Sequence, residues 1–422
     1  MLLVPADALR GRPLVTFLLA TFVLAAANRV DGEDWPGWRG PDRTDVSQET
    51  GLLREWPEGG PKRVWLSEKC GVGYSGFAVV DENVYTLGAY ENDERLICLD
   101  AKTGDVRWRT VITDAVLENG WGDGPRGTPT VDGDHVYAMA GEGTLLCAKA
   151  DSGDVVWKVN MKDFGGRVPN WGYTESVLVD GDKVICTPGG GNGTIVALNK
   201  LSGEKIWQSK DFTDRADYSS VIVAEHAGVR QYIQLTQSNL FGVAADDGRV
   251  LWSYPWPGRT AVVPTPIYRD GKVYIASGYG VGCALVQLTK DSAEEVYENK
   301  VMKNHHGGVI LVGDHLYGYS DGVGWVCQEF ETGEQVWAEK NALDKGAIAC
   351  ADGLLYCISE SNGEVVLIEA SPEGWNEKGR FKLDPQSEYR SPRGKIWTHP
   401  TIANGKLYLR DQEIVCCFDI KQ

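Results

Sequence analysis

The sequence predicts an all-β protein, an eight-bladed β-propeller of four-stranded antiparallel blades. The first observation is a repeated motif in which a Gly is followed four residues later by an aromatic residue, clearest at residues 100–108 (DAKTGDVRW) and 199–207 (NKLSGEKIW). The second is its period of roughly 40–50 residues, the length of one propeller blade. The third is a set of Asp-Gly and Asn-Gly dipeptides between Val-, Ile- and Tyr-rich segments, which is typical of hairpin turns. These dipeptides begin at Asp132, Asp180, Asp270, Asp352 and Asn404.

The aromatic residue that ends each motif copy marks the outermost strand of a blade. In chain order these markers are Trp108, Trp157, Trp207, Trp252, Tyr297, Trp337 and Phe381. After Phe381 the chain has three more strand-like segments and then ends at Gln422. We expect the missing outer strand to come from residues 62–66, which contain Trp65 in register with the repeat. This N-terminal strand should complete the last blade, the one that contains Trp397, and close the ring.

Three regions follow along the chain. Residues 1–27 predict a secretory signal peptide, with Arg10 and Arg12 before an apolar stretch and small residues at Ala25–Ala27 for cleavage. The alternative is an uncleaved membrane anchor, but the apolar run is short for a full span. Residues 28–61, rich in Pro, Gly and Trp, predict an irregular arm lying on the propeller of residues 62–422. We therefore expect an exported protein, periplasmic or extracellular, with no transmembrane domain in the mature chain.

Charge and cysteine usage narrow the function classes. The formal net charge of −17 argues against nucleic-acid binding, because phosphate would be repelled and no Lys/Arg run supplies a basic patch. Ten Cys in an exported chain would permit disulfides. Cys98, Cys147 and Cys327 instead each lie six residues before a motif Gly, and a repeated position predicts a buried packing role. Adjacent Cys416 and Cys417 should point to opposite faces of a strand as buried thiols, the alternative being a strained vicinal disulfide.

Propeller geometry brings sequence-distant residues to one face. The connections that precede the inner strand of each blade share a face, and the inner strands line the central channel. Polar and aromatic residues at these positions should converge on one funnel mouth. The candidate ligand-binding residues are Arg126, Trp171, Tyr218, His305, His306, Lys345, Trp397 and His399. The other interpretation is that they are the ordinary polar lining of a wet channel.

A metal site is a second hypothesis for the same face. Glu175, Asp217 and Asn304 stand near the starts of three different inner strands. Their hard oxygen donors suit Ca²⁺, so these three residues are the candidate metal ligands.

The motif also carries a family resemblance. A small residue, Asp, Thr-Gly and Trp at fixed spacing resemble the tryptophan-docking motif, over nearly all of residues 62–422. The chain is thereby similar to the pyrroloquinoline quinone-like (PQQ-like) superfamily of eight-bladed propellers, which includes quinoprotein alcohol dehydrogenases and the cofactor-free propeller BamB of the outer-membrane assembly machinery. The resemblance implies that the docking Trp packs on the adjacent blade and that the Gly permits a tight turn.

The residues leave the cofactor open, whereas a quinoprotein resemblance implies PQQ with Ca²⁺. Asp217 or Glu175 would then be the catalytic general base. Lys345 or Arg126 would polarise the quinone carbonyl, and Trp171 or Trp397 would stack on the quinone ring. The chain departs from such dehydrogenases because its only Cys-Cys pair lies in a predicted strand and it has no C-x-x-C-H haem site. It departs from lipid-anchored assembly factors because no Cys precedes Cys70.

The leading functional prediction is an exported PQQ-like propeller, expected to be a monomer, that binds a small molecule, glycan or envelope protein at the funnel face. One alternative is a PQQ-dependent alcohol or polyol dehydrogenase. The other is a non-catalytic BamB-like scaffold, which would show an exposed apolar or acidic patch beside an unremarkable channel. Fold resemblance alone does not separate these alternatives.

Overall fold

The computed structural model describes residues 32–422, which form an eight-bladed β-propeller. The signal peptide predicted for residues 1–27 lies outside the described residues. One short 3₁₀ helix, Met161–Phe164, interrupts the strands. Across residues 32–422, no helix has the length and apolar character that crossing a membrane requires.

Each blade is a four-stranded antiparallel meander, whose strands we label A to D from the channel outward. In blade 7 the arm adds a fifth strand, Val46–Ser47, parallel to strand A. The strands of blades 1 to 4 are Ala78–Val80, Asn83–Ala89, Glu94–Asp100, Val106–Thr113; Thr130–Asp132, His135–Met139, Thr144–Lys149, Val155–Asn160; Leu178–Asp180, Lys183–Cys186, Val196–Asn199, Lys205–Gln208; and Ile222–His226, Val229–Leu235, Asn239–Ala244, Val250–Pro255. The strands of blades 5 to 7 are Ile267–Arg269, Lys272–Ser277, Gly282–Leu288, Ala293–Asn299; Val309–Val312, His315–Ser320, Gly324–Glu329, Gln335–Glu339; and Gly346–Ala351, Leu354–Ser359, Glu364–Glu369, Glu377–Lys382.

Blade 8 closes the ring with strands from both ends of the chain. Its strands A to C are Thr401–Ala403, Lys406–Asp411 and Ile414–Asp419, and its strand D is Lys62–Ser67. Trp65 lies opposite Cys417 in this outer pair, so the predicted closure is confirmed.

The hydrophobic core lies between blades rather than within one layer. Eight clusters of buried residues each join two neighbouring blades, including one that joins blade 8 to blade 1. Alternate side chains of a strand therefore serve different interfaces. Cys416 belongs to the cluster between blades 7 and 8, and Cys417 to the cluster between blades 8 and 1. Their predicted opposite orientation as unbridged thiols is confirmed, and all ten Cys are free and buried.

The docking motif joins the outer strands in the same manner. Gly104 has φ of 74°, and a Cβ built there would lie 2.5 Å from the Cε3 atom of Trp65. Gly153 has φ of 76° and the same relationship to Trp108. The motif Gly thus combines a left-handed backbone with space for the preceding blade's indole ring, which only a residue without a side chain provides.

Candidate functional site

A cavity of about 220 Å³ opens on the face where the inner strands begin, and we call it the funnel. Its wall comes from segments that precede the inner strands of blades 1 to 6 and 8, from the B–C turn of blade 5, and from the N-terminal arm. The lining residues are Trp38, Tyr74, Trp121, Arg126, Trp171, Thr174, Ser176, Tyr218, Ser220, Ala261, Val263, Tyr279, His305, His306, Trp397 and His399. Most of the wall is aromatic, and a concave aromatic site with a few polar groups is the usual form of a ligand pocket.

The rings of the wall are tilted against one another. Tyr74 and Trp397 have centroids 5.0 Å apart at 41°, and Trp171 meets Tyr218 edge-on at 5.6 Å and 67°. Trp121 stands at the mouth with 43% of its surface exposed. Such a large exposed apolar side chain has little packing function, so it is a candidate contact for a ligand.

Arg126 is the cation of the wall, and its guanidinium is already bonded to groups of the protein. Its Nε donates to the carbonyl oxygen of Trp171 at 3.0 Å, and its Nη2 donates to that of Gly122 at 2.6 Å. The guanidinium also lies 4.7 Å from the ring centroid of Tyr74, a cation–π contact. Burial lowers the pKa of Arg126, but these contacts hold it as an organising cation rather than as a free anion receptor.

Lys345 lies behind the wall and orients His305. The Lys345 ammonium donates to Asp321 at 2.7 Å and to the Nδ1 atom of His305 at 3.1 Å. Because an ammonium can only donate, Nδ1 accepts and the imidazole proton stays on Nε2. Burial and then the charge of Lys345 lower the pKa of His305 to about 4, so the ring is neutral near pH 7.

A second polar pair lies beside this one. Glu360 Oε2 accepts from Trp397 Nε1 at 3.2 Å and lies 3.3 Å from His306 Nε2. An ion pair would lower the carboxyl pKa and raise that of the imidazole, yet burial raises the pKa of Glu360 to about 7 and lowers that of His306. Burial is the larger effect on both groups, so it disfavours a fully charged ion pair at this contact.

The floor of the funnel is made by the arm. The sequence predicts an arm lying on the propeller, whereas the structure runs it inside the ring of inner strands. From blade 1 to blade 8, its contacts at or beside strand A are Trp35 with Val79, Pro36 with Val131, Arg43 with Val177 and Val221, Trp38 with Thr265, Arg39 with Val309, Asp45 with Cys350, and Glu49 with Gly405. The arm therefore plugs the channel beneath the funnel.

His399 connects the plug to the wall. Its ring lies 4.7 Å from the Trp38 centroid, its Nε2 donates to the His306 carbonyl oxygen at 2.8 Å, and its Nδ1 lies 3.3 Å from Asp45. Asp45 in turn pairs with Arg39 at 2.9 Å. This chain of contacts fixes the imidazole at the base of the cavity.

The structure brings together seven of the eight predicted ligand-binding residues. Arg126, Trp171, Tyr218, His305, His306, Trp397 and His399 all line the funnel. The eighth, Lys345, lies one layer back, against His305.

The three predicted metal ligands lie outside the wall. Glu175 is buried, its carboxylate accepts from the Thr187 amide at 2.6 Å and hydroxyl at 2.9 Å, and burial raises its pKa to about 7. Burial likewise raises the pKa of half-buried Asp217 to about 7. Asn304 donates to the Gly308 and Tyr319 carbonyl oxygens. Within the part of the chain that the structure describes, no three His, Cys, Asp or Glu side chains are grouped as metal ligands, and the Ca²⁺ site stays a prediction.

Strand-like alternation explains why these carboxylates are set back. Thr174 and Ser176 line the funnel, so Glu175 between them points the other way. Tyr218 and Ser220 line it too, and Asp217 precedes them on the opposite phase. Period-two alternation was the sequence signal that could have separated the two sets.

Sequence reasoning also missed Trp38, Asp321 and Glu360, among others. Trp38 reaches the funnel through the arm, whose path has no repeat pattern. Asp321 and Glu360 follow the B strands of blades 6 and 7, on the predicted funnel face. Position at the end of a B strand could have identified them, because B–C turns share that face.

The wall does not fit the quinone that the superfamily resemblance implies. PQQ is a tricarboxylate, whereas the wall contributes one cation, Arg126, with two of its donors already bound to carbonyl oxygens. Lys345 is paired with Asp321 behind the wall. Cys416 and Cys417 are separate thiols in blade 8 and form no disulfide over a ligand. We therefore derive no chemistry through a quinone.

Comparison with known proteins agrees with the fold. The family model described as outer membrane protein assembly factor BamB matches residues 57–158 and 92–339. BamB of Yersinia pestis is 23% identical over 352 residues, covering 77% of this chain and 84% of that protein.

Two solved structures are similar in fold. BamB from Moraxella catarrhalis has a TM-score of 0.59 at 16% identity, covering 82% of this chain and 96% of that one. Quinohemoprotein alcohol dehydrogenase from Comamonas testosteroni has a TM-score of 0.58 at 12% identity, covering 93% and 81%. Because the family match runs from residue 57 to residue 339, the chain belongs to the PQQ-like propeller family described as outer membrane protein assembly factor BamB.

Proposed function

We propose that the protein binds a small organic ligand of low charge in the funnel. The observation that carries the proposal is the convergence of aromatic and imidazole rings from seven blades and the arm on one cavity. The exposed ring of Trp121 supports it, because nothing in the packing of the blades requires Trp at the mouth. Burial of most of a ligand's surface against such rings supplies hydrophobic affinity, and the few polar groups fix its orientation.

The test is a binding screen followed through Trp fluorescence, with polyols, aromatic alcohols and neutral sugars as probes. Trp121→Ala should weaken binding of the selected probe about tenfold, equal to about 1.4 kcal/mol. Its melting temperature should stay near that of the wild type, because Trp121 is 43% exposed at the mouth. Tyr389→Ala is the matched control, since Tyr389 is an exposed aromatic residue outside the cavity. Equal effects of both variants, or no probe binding at all, would refute the proposal.

Catalytic roles for Asp217 and Glu175 remain predictions. Neither side chain lines the cavity, so neither would touch a ligand bound in the funnel as it stands. Ligand binding without a chemical step is therefore the function that the geometry supports best.

A second candidate is an assembly factor for outer membrane proteins, which the family match favours. A strain lacking the gene should then show lower levels of outer-membrane proteins. Complementation by Trp121→Ala as good as that by the wild type would assign assembly to a surface other than the funnel. Unchanged outer-membrane protein levels in the deletion strain would exclude this role.

We propose that the protein acts outside the cytoplasm, exported by the predicted signal peptide. A fusion of residues 1–40 to alkaline phosphatase should be active, because that enzyme needs an oxidising compartment for its disulfides. A fusion beginning at residue 28 is the control and should be inactive.

A further inference from the structure

The funnel is blind, and this restricts what can enter it. Trp38 forms part of its floor, and below it Arg43 donates to the carbonyl oxygens of Ser176 at 3.0 Å and Val221 at 2.7 Å. The Arg43 side chain is buried, as is that of Arg39, which donates to Val309. A polymer cannot thread the channel past these bonded side chains. A long ligand can present only its end.

The charged side chains behind and within the wall already make polar contacts inside the protein. Arg126 bonds to carbonyl oxygens, and Lys345 bonds to Asp321. His306 Nε2 lies 3.3 Å from Glu360 Oε2. A charged ligand would lose hydration and find donors of Arg126 and Lys345 already occupied, which is unfavourable in a largely apolar cavity. The wall therefore selects for an uncharged ligand.

The tilt of the rings favours a ligand that is not flat. Neighbouring rings meet at 41°, 67°, 69° and 59° in the pairs Tyr74–Trp397, Trp171–Tyr218, Tyr279–His305 and His306–Trp397. None of these four neighbouring pairs is parallel, and His305 and His306 also meet at 33°. A pyranose chair has apolar C–H faces for several tilted rings and equatorial hydroxyls for the polar atoms between them. The Nε2–H of His305 is one such donor.

A second stacking surface lies further out. Trp121 is part of the wall but is 43% exposed, and the guanidinium of Arg393 lies 5.8 Å from its ring centroid. A ligand seated among Tyr74, Trp171 and Trp397 would leave the Trp121 ring beside its next unit. The mouth is thus suited to a chain of linked units rather than to a single one.

We propose that the funnel binds a neutral pyranose glycan end-on, with the terminal residue among the inner rings and the next residue against Trp121. This proposal rests on the function proposed above and names the ligand class for the same cavity.

The experiment is calorimetry with neutral oligosaccharides of increasing length from gluco-, manno-, xylo- and N-acetylglucosamine series. For the series that binds, affinity should rise from the monosaccharide to the disaccharide and then level off. Trp121→Ala should lower disaccharide affinity about tenfold and abolish the gain over the monosaccharide. Tyr389→Ala should leave both affinities unchanged.

Chain ends give the decisive contrast. Oligosaccharides with both terminal residues blocked by bulky groups should lose binding, whereas one free end should restore it. Undiminished binding of doubly blocked chains, or tighter binding of uronic-acid oligomers than of neutral ones, would overturn the proposal. If aromatic alcohols bind with sensitivity to Trp121→Ala while no glycan binds, the glycan assignment fails and the funnel function survives. If no probe of any class binds, both fail.

Discussion

Arg39 and Asp45 form an ion pair inside the ring of inner strands, with 2.9 Å between Nε and Oδ2 and with only 1% and 2% of the side chains exposed. Asp45 also contacts His399, and Arg39 also bonds to the carbonyl oxygens of Thr44 and Val309. The pair thus joins the arm to blades 6 and 8.

Arg39→Ala should lower the free energy of unfolding by about 3–5 kcal/mol, because it leaves a buried carboxylate without its partner. Urea denaturation measures this change. Arg54→Ala is the control, since Arg54 is half exposed and pairs with Asp352 at 3.7 Å, an arrangement worth at most about 1 kcal/mol. Equal destabilisation by the two variants would show that the buried Arg39–Asp45 pair stabilises the fold no more than an exposed ion pair does.

Gly104→Ala should destabilise the closure of the ring more than Gly353→Ala does. Both residues have a left-handed backbone, with φ of 74° and 71°, so both variants carry the same backbone strain of about 1 kcal/mol. A Cβ at Gly353 meets open space, whereas one at Gly104 meets Trp65. The extra cost of overpacking is about 1–3 kcal/mol, measured as the difference between the two denaturation midpoints. Identical midpoints would show that Trp65 does not depend on this docking contact.

The pH dependence of stability should change in opposite directions in two variants. The pKa of Glu175 is raised from 4.5 to about 7, so the folded carboxyl keeps its proton where the unfolded one has lost it. Stability is therefore lost as pH rises from 4.5 to 7, and Glu175→Gln removes that loss, by up to about 1.4 kcal/mol per pH unit. The free energy of unfolding of Glu175→Gln should therefore increase relative to that of the wild type as pH rises.

The His305 imidazole acts in the other direction. Its pKa is lowered from 6.5 to about 4, so stability is lost as pH falls through that range. The free energy of unfolding of His305→Asn should therefore increase relative to that of the wild type as pH falls. Denaturation curves collected between pH 4 and pH 7 test both signs, and curves that stay parallel to the wild type would contradict the burial of these groups.

All ten thiols should titrate after denaturation without reductant, because every Cys is free. In the native protein they should react slowly with a disulfide reagent, since all are buried and burial raises the pKa of Cys98 and Cys327, among others, to about 11–12. A reductant-treated sample is the control and should give the same count. A lower count without reductant would reveal disulfides.

The blades and the funnel wall could be predicted because they depend on local signals. Each clear motif copy fixes one Trp and one Gly, and propeller topology then places the residues before every inner strand on one face. The plug could not be predicted, because Arg39 and Arg43 are positioned by carbonyl oxygens of distant blades. Glu175 precedes the regular strand, and its alternation with Thr174 and Ser176 is the signal that indicates its direction.

The contact between Asp45 and His399 joins residues 354 positions apart in sequence. The arm is synthesised first, but the cavity gains its complete floor and wall only when blade 8 has formed. A chain that has emerged up to blade 7 holds most of the aromatic rings but no site. The proposed ligand binding should thus be a property of the finished molecule only, and its appearance during refolding would report when the last blade closes.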